Sequence, residues 1–118
     1  MSRGIISTRT HGVLGLMTAG TLLAAPRLLG LNGVPMAASV LRMAGAGAAA
    51  YSMMTDYEFG AVKVLPMPAH LVMDAASGAV LASSPWLFGF AGKGTRSWLP
   101  HVVVGAFEML AAATSKTR

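Results

Sequence analysis

The chain has 118 residues, of which 54% are apolar and 11% are charged, and its formal net charge is +5. About a quarter of the residues in a soluble globular protein are charged, so this composition argues against a soluble globule and favours one helical domain in a membrane. The absence of cysteine excludes disulfides, thiolate metal ligands and cysteine nucleophiles. The basic residues stand mostly in tails and short connections, which indicates topology signals and lipid head-group contacts rather than nucleic-acid binding.

The N-terminal part consists of a basic tail, residues 1–10, and an apolar run from Val13 to Leu31. This pattern fits either a retained membrane helix or a signal peptide cleaved after the small residues before Pro26. Pro26 disfavours cleavage and the apolar character resumes at Leu28, so we expect a retained helix. An organellar transit peptide is a third interpretation, disfavoured because the start continues directly into an apolar span.

A second apolar run extends from Pro35 to Met54 and follows a turn at Asn32-Gly33. Asn-Gly favours a positive φ, and proline suits the first position of a helix. The run AGAGAAA at 44–50 predicts a small-residue face that packs closely against another helix. A phosphate-binding loop is not expected there, because no strand precedes the run and no lysine follows it.

The central segment runs from His70 to Phe90 and is long enough, at about 20 residues, to cross a hydrocarbon core of ~30 Å. A fourth apolar run extends from Trp98 to Thr114. The sequence therefore predicts an all-α, four-helix transmembrane bundle made of two tandem helix hairpins. The expected parts are a basic N-terminal tail at 1–10, a first repeat at 11–55, a connecting loop at 56–67, a second repeat at 68–114 and a basic C-terminal tail at 115–118.

An internal repeat relates the two halves. One constant shift along the chain places His11 on His70, and it also places Val13 on Val72, Thr18 on Ser77, Leu22 on Leu81, Pro26 on Pro85, Leu28 on Leu87 and Gly30 on Gly89. Past the turn, a shift that is longer by a single position places Gly45 on Gly105. Because each copy has two helices, both copies enter the membrane in the same direction, which predicts a parallel repeat about an axis along the membrane normal.

The tripeptide Ser84-Pro85-Trp86 lies near the end of the third predicted helix. Proline removes a backbone hydrogen bond and predicts a kink or a helix end, and a serine hydroxyl can bond to a carbonyl that the proline leaves free. Trp86 suits the lipid–water interface. In this position the motif resembles the SPW-repeat family of small membrane proteins, although only the proline, Pro26, is retained in the first copy. The resemblance implies a polytopic helical membrane protein and no particular reaction.

Ionisable side chains inside or near the ends of the predicted spans are the candidate functional residues: Arg42, His70, Asp74, His101 and Glu108. A charge near the bilayer centre costs about 2.5 to 3.5 kcal/mol, so we expect Asp74 and Glu108 to face the bundle interior. Arg42 is expected to pair with Glu108 or with a nearby carbonyl. Asp74 is expected to be capped by His70 or to stay protonated.

Two histidines and two carboxylates can bind a d-block metal, but their spacing matches no metal motif such as H-E-x-x-H. No metal site and no cofactor are therefore predicted.

The sequence predicts a structural or interaction component of a membrane, of the bacterial inner-membrane type, with no enzymatic reaction. The expected partners are the lipid bilayer and either further copies of the chain or another membrane protein, and not a nucleic acid. The alternative is a small ion- or proton-conducting transporter or channel that uses Asp74, Glu108 and Arg42, and an intramembrane enzyme ranks third. Five basic residues against three favour the positive-inside orientation with both termini in the cytoplasm.

Overall fold

The computed structural model describes residues 4–118, and this part of the chain contains four α-helices and two short 3-10 helices but no β-strand. The α-helices are α1 (Thr8–Leu28), α2 (Pro35–Met53), α3 (Met67–Leu87) and α4 (Thr95–Thr114), and the 3-10 helices are Leu31–Gly33 and Ala91–Lys93. The predicted all-α fold with four helices is confirmed. Within residues 4–118, none of the helices is both long enough and apolar enough to cross a membrane.

Local chemistry accounts for the helix ends. Helix α1 begins at Thr8 because the Ser7 hydroxyl caps it, accepting a hydrogen bond from the Thr10 main-chain N–H at 3.1 Å. Helix α2 begins with a proline at its first position, where the missing N–H costs no hydrogen bond. Shortly after α1 and α3, Gly30 and Gly89 adopt φ angles of 65° and 75°, a left-handed conformation that glycine adopts easily.

The helices associate as two hairpins, since α1 packs mainly on α2 and α3 packs mainly on α4. Small residues allow each close approach. A Cβ atom added at Gly105 would lie 2.5 Å from the Gly78 carbonyl oxygen, and one added at Gly45 would lie 2.8 Å from the Ala19 carbonyl oxygen. The predicted small-residue contact is thus present at the same place in both hairpins, because the repeat alignment pairs Ala19 with Gly78 as well as Gly45 with Gly105.

The secondary structure fits the predicted tandem repeat. The alignment that places His11 on His70 also matches α1 to α3 at both of their ends, and the longer shift past the turn matches the start of α2 to the start of α4. The ends of the hairpins correspond as well, since one isolated β-bridge joins Ile6 to Ser115 and another joins Leu65 to Thr55. In the alignment Leu65 is the counterpart of Ile6, and Ser115 is the counterpart of Thr55. Each hairpin therefore ends against the segment that begins the other.

Candidate functional site

Four side chains from three helices meet near one end of the bundle, and we call them the polar centre: His11 of α1, Tyr51 of α2, and His70 and Asp74 of α3. The two histidines and the aspartate are buried, with exposed fractions of 3%, 1% and 9%. The Asp74 Oδ2 atom lies 2.6 Å from His11 Nε2 and 3.2 Å from His70 Nε2. The Tyr51 hydroxyl donates a hydrogen bond to the other carboxylate oxygen, Oδ1.

The repeat brings the two histidines together around one acid. His11 and His70 are each the fourth residue of their helix, and their ring centroids lie 5.4 Å apart. Asp74 lies four residues after His70 and so shares its helix face. The equivalent position in α1 is Gly15, which has no carboxylate. A single aspartate therefore serves both imidazoles.

Hydroxyl groups fix the orientation of both rings. The Ser115 Oγ atom lies 2.7 Å from His11 Nδ1, and the Thr55 Oγ1 atom lies 2.7 Å from His70 Nδ1. Each hydroxyl donates its own proton to the main-chain carbonyl four residues earlier, at 2.5 Å for Ser115 and 2.6 Å for Thr55. Because each proton is used in this way, each hydroxyl oxygen accepts a hydrogen bond from the Nδ1–H of its ring. The 2.6 Å contact of His11 Nε2 with Asp74 is a hydrogen bond as well, so a proton also lies between these two atoms. Both Nε2 atoms then point to Asp74.

This arrangement crosses between the repeats. Ser115 ends the second hairpin and holds the histidine of the first, whereas Thr55 ends the first hairpin and holds the histidine of the second. The two hydroxyls occupy equivalent positions, like the two histidines. The polar centre is therefore built from both halves of the chain.

A small cavity adjoins the polar centre and is lined in part by Asp74, Glu108 and Gly15. Its volume of about 20 Å³ is enough for roughly one water molecule. Glu108 is 9% exposed, and within residues 4–118 its carboxylate has no hydrogen-bond or ion-pair partner. The expectation that both acids face the bundle interior is confirmed, and the second carboxylate faces the cavity rather than a cation.

The connection between the two hairpins covers the polar centre. The Tyr57 ring lies against the His70 ring, with 5.4 Å between centroids, and it also contacts Phe59. Burial raises the pKa of Tyr57 above its ordinary value. The Thr8 hydroxyl donates to both carboxylate oxygens of Glu58, at 2.9 and 3.0 Å, which ties the connection to the start of α1.

The expected cap of Asp74 by His70 is confirmed, but the expected pairing of Arg42 is wrong. Arg42 is exposed and lines an outer cleft of about 360 Å³ together with Arg27, and within the described residues it has no ion pair and no hydrogen bond to a carbonyl. The preceding residue, Leu41, is fully buried and defines the inward face of α2. Arg42 is rotated by about 100° from that face, so its side chain does not reach Glu108.

His101 has a separate, structural environment. Its Nε2 atom lies 3.0 Å from the Ala37 carbonyl oxygen and donates to it, which joins α4 to α2. Its ring packs on Phe90, with 4.7 Å between centroids. Among the candidate histidines, the structure therefore brings His70, and not His101, to the polar centre.

The Ser84-Pro85-Trp86 motif has the local geometry expected from its chemistry. The Ser84 hydroxyl donates to the Leu81 carbonyl at 2.6 Å, and Pro85 is buried inside α3. The helix ends two residues after the proline, at Leu87. Trp86 is 62% exposed and points away from the core. The three residues thus shape the end of the helix and do not contribute to the polar centre.

Sequence reasoning missed His11, Tyr51, Thr55 and Ser115 as members of the site. One signal could have found His11, because the repeat alignment places it on His70, which was already a candidate. The same alignment places Thr55 on Ser115. Tyr51 carries no such signal, since the equivalent residue is Ala111.

Comparison with known proteins agrees with the motif. The model of the SPW repeat domain matches residues 9–115, a range that includes both hairpins and the polar centre. Neither the curated proteins nor the solved structures gave a match. Because the matched range covers most of the 118 residues, the chain belongs to the SPW repeat domain family.

Proposed function

We propose that this protein is a small structural or interaction component of a membrane, in which four helices cross the bilayer and keep a polar centre away from lipid. One observation carries the proposal: ionisable side chains lie in the interior of the bundle while many large apolar side chains of its helices are exposed. Charged and polar side chains that are normally exposed, including His11, His70, Asp74 and Glu108, are buried. Large apolar side chains cover the outside.

The apolar outer surface extends over all four helices. Many large apolar side chains of the described residues are exposed, and those that lie on the helices are Val13, Met17, Leu23, Leu28, Met36, Met43, Met53, Val72, Met73, Val80, Trp86, Leu87, Leu99, Val103, Phe107 and Leu110. Soluble monomers rarely expose contiguous apolar areas of this extent. A lipid environment would remove this surface from water, which supports the proposal.

The helix lengths are also compatible with a bilayer. The helices have 19 to 21 residues, which corresponds to about 28 to 32 Å at about 1.5 Å per residue, close to the ~30 Å hydrocarbon core. Their mean hydropathy is lowered in part by His11, His70, Asp74, Pro26 and Pro85, which are buried and would not meet lipid. Membership of the SPW repeat domain family also supports a polytopic helical membrane protein.

The proposed orientation places both chain ends and the connection between the hairpins in the cytoplasm. Ile6 and Ser115 are joined by a β-bridge, so the two ends of the chain lie at one end of the bundle, as an even number of spans requires. The side with the termini has more basic residues than the side with Lys93 and Arg96. We therefore propose the cytoplasmic face of an inner-membrane-type bilayer for the polar centre.

Reporter fusions and alkaline extraction test the location and the orientation together. We expect the full chain to remain in the membrane pellet after carbonate extraction, because its apolar surface is buried in lipid. A reporter active only in the cytoplasm should work when fused after Arg118 and fail when inserted at Gly92, between α3 and α4. Release of the chain by carbonate would contradict the membrane location, and activity only at Gly92 would reverse the orientation.

Proton or ion conduction is the second candidate function, and the cavity beside Asp74 and Glu108 favours it. That cavity holds roughly one water, whereas conduction across ~30 Å needs a continuous file of polar groups or waters. We therefore expect vesicles containing the protein to show the same proton flux as protein-free vesicles, measured with an internal pH dye. A flux that Asp74→Asn abolishes would instead establish conduction and displace the structural proposal.

A further inference from the structure

The polar centre contains three potential metal-ligating atoms, one each from His11, His70 and Asp74, that all lie within 4.8 Å of one another. All three residues are buried. We infer that they form a binding site for one divalent transition-metal ion of the Zn²⁺ class. The inference goes beyond the proposed membrane role, because the site involves only the interior of the bundle.

Hydrogen bonds at Nδ1 direct the Nε2 atoms of both histidines at Asp74, and a metal ion would displace the proton that His11 Nε2 now shares with the carboxylate. Ser115 and Thr55 accept the Nδ1 protons, so each ring directs its Nε2 atom to the Asp74 carboxylate. Histidines that bind metals through one nitrogen are typically oriented by a hydrogen bond from the other, and loss of that outer partner lowers metal affinity about 10–100-fold. Both rings of the polar centre have this outer partner.

One spacing between ligand atoms already matches that of a tetrahedral site, and a second needs a small adjustment. With metal–ligand distances of about 2.0 to 2.1 Å, neighbouring ligand atoms lie roughly 3.3 Å apart. His70 Nε2 and Asp74 Oδ2 are 3.2 Å apart, which already fits. His11 Nε2 is 2.6 Å from the same oxygen, so binding requires this pair to separate by roughly 0.7 Å. The Tyr51 hydroxyl holds the other oxygen of the carboxylate.

The unpaired carboxylate of Glu108 and the cavity beside the site also favour a bound cation. Glu108 lines the cavity next to Asp74, is nine-tenths buried, and has no polar partner within residues 4–118. A divalent ion would neutralise the two carboxylates, which are costly to bury without a counter-charge. The cavity has room for roughly one water, which can serve as the fourth ligand.

The competing interpretation is that protons alone hold the cluster together. An imidazolium of His11 between the Asp74 carboxylate and the Ser115 hydroxyl would give the same short distances without a metal. The two interpretations differ in what a chelator-treated protein does when Zn²⁺ or Co²⁺ is added. They also differ in whether the hydroxyl groups of Ser115 and Thr55 affect metal affinity.

The experiment measures metal binding by the purified full chain in detergent micelles after removal of metals with a chelator. We expect one Zn²⁺ per chain by elemental analysis and calorimetry, and Co²⁺ should give the visible absorption of a tetrahedral site. His11→Gln and Asp74→Asn should each weaken Zn²⁺ binding at least about 100-fold. His101→Gln is the matched control, since it removes a buried histidine that contacts Ala37 instead, and it should leave the affinity unchanged.

Two milder variants test the site even if the ligand variants fail to fold. Ser115→Ala and Thr55→Ala retain all three ligands and should each weaken Zn²⁺ binding about 10–100-fold. Helix content by circular dichroism is recorded for every variant. The metal site is rejected if the wild-type chain binds far less than one ion per chain, or if His101→Gln lowers the affinity as much as His11→Gln does.

Discussion

Replacing Asp74 with leucine is expected to lower the free energy of unfolding by about 3 to 5 kcal/mol, the range observed when one partner of a buried ionic group is removed. The carboxylate is the common partner of His11, His70 and Tyr51. Without it, the Nε2 atoms of both imidazoles and the Tyr51 hydroxyl would lose the carboxylate that accepts from them. Each such group carries a cost of about 1 to 3 kcal/mol.

Two control variants separate the lost carboxylate from a general effect of removing an acid. Asp56→Asn changes an exposed acid on the connection between the hairpins, so the free energy of unfolding should change by less than about 0.5 kcal/mol. Asp74→Asn retains the size and one oxygen acceptor, so its effect should lie between those of Asp56→Asn and Asp74→Leu. Unfolding is measured by denaturant titration in micelles, with helix content followed by circular dichroism.

A triple variant tests whether the cluster acts as a unit. Replacing His11, His70 and Asp74 together with leucine should destabilise the bundle less than Asp74→Leu alone, because no buried imidazole is then stranded. The Ser115 and Thr55 hydroxyls remain satisfied, since they still donate to main-chain carbonyls. If the triple variant were the less stable of the two, the cluster would not depend on its aspartate in the way we describe.

The positions of the helices could be predicted because hydropathy and turn-forming residues mark where each helix begins and ends. Apolar runs of about 20 residues and the proline at 35 act through local backbone preferences and hydropathy. The positive φ expected at Asn32-Gly33 is wrong, because Leu31–Gly33 forms a 3-10 helix and the left-handed residue of this turn is Gly30. The internal repeat could be predicted for the same reason, because equivalent residues recur in the second half of the chain at a nearly constant spacing. The confirmed part of the prediction is therefore the part that depends on neighbours along the chain.

The site was only partly predictable, because its geometry depends on how helices rotate against each other. His70 and Asp74 lie four residues apart on one helix, so their contact follows from helix periodicity alone. The expected pairing of Arg42 with Glu108 takes into account only how far along its helix each residue lies, which follows from the rise of about 1.5 Å per residue. Its rotation about the axis of α2 depends instead on which residues pack inward, and Leu41 takes that position.

The contact of His11 with Asp74 depends on tertiary packing and could not be predicted from local sequence. The two residues are 63 positions apart, and no periodicity within one helix connects them. The contact arises because the packing of α1 against α3 brings the two histidine rings within 5.4 Å of each other, where one acid can reach both. A repeat therefore predicts which residues are equivalent, but the packing of the two copies decides which of them meet.

The contact between α3 and α4 is the tighter of the two contacts within the hairpins. Helices α3 and α4 meet at Gly78 and Gly105, where an added Cβ atom on Gly105 would lie 2.5 Å from the Gly78 carbonyl oxygen and 2.6 Å from the Ala82 main-chain nitrogen. Both atoms belong to the backbone, so neither can rotate away as a side chain could. In the first hairpin the corresponding contact at Gly45 is looser, at 2.8 Å from the Ala19 carbonyl oxygen.

Gly105→Leu is therefore expected to separate α3 from α4 and to destabilise the bundle by about 3 kcal/mol or more, at the upper end of the cost of overpacking. Gly45→Leu should cost less, because its contact leaves more room. Gly47→Leu is the matched control, since a Cβ atom there meets nothing within 4 Å and leucine favours a helix over glycine. The same denaturant titration ranks the three variants, and equal losses at Gly105 and Gly47 would show that this close approach does not hold the second hairpin together.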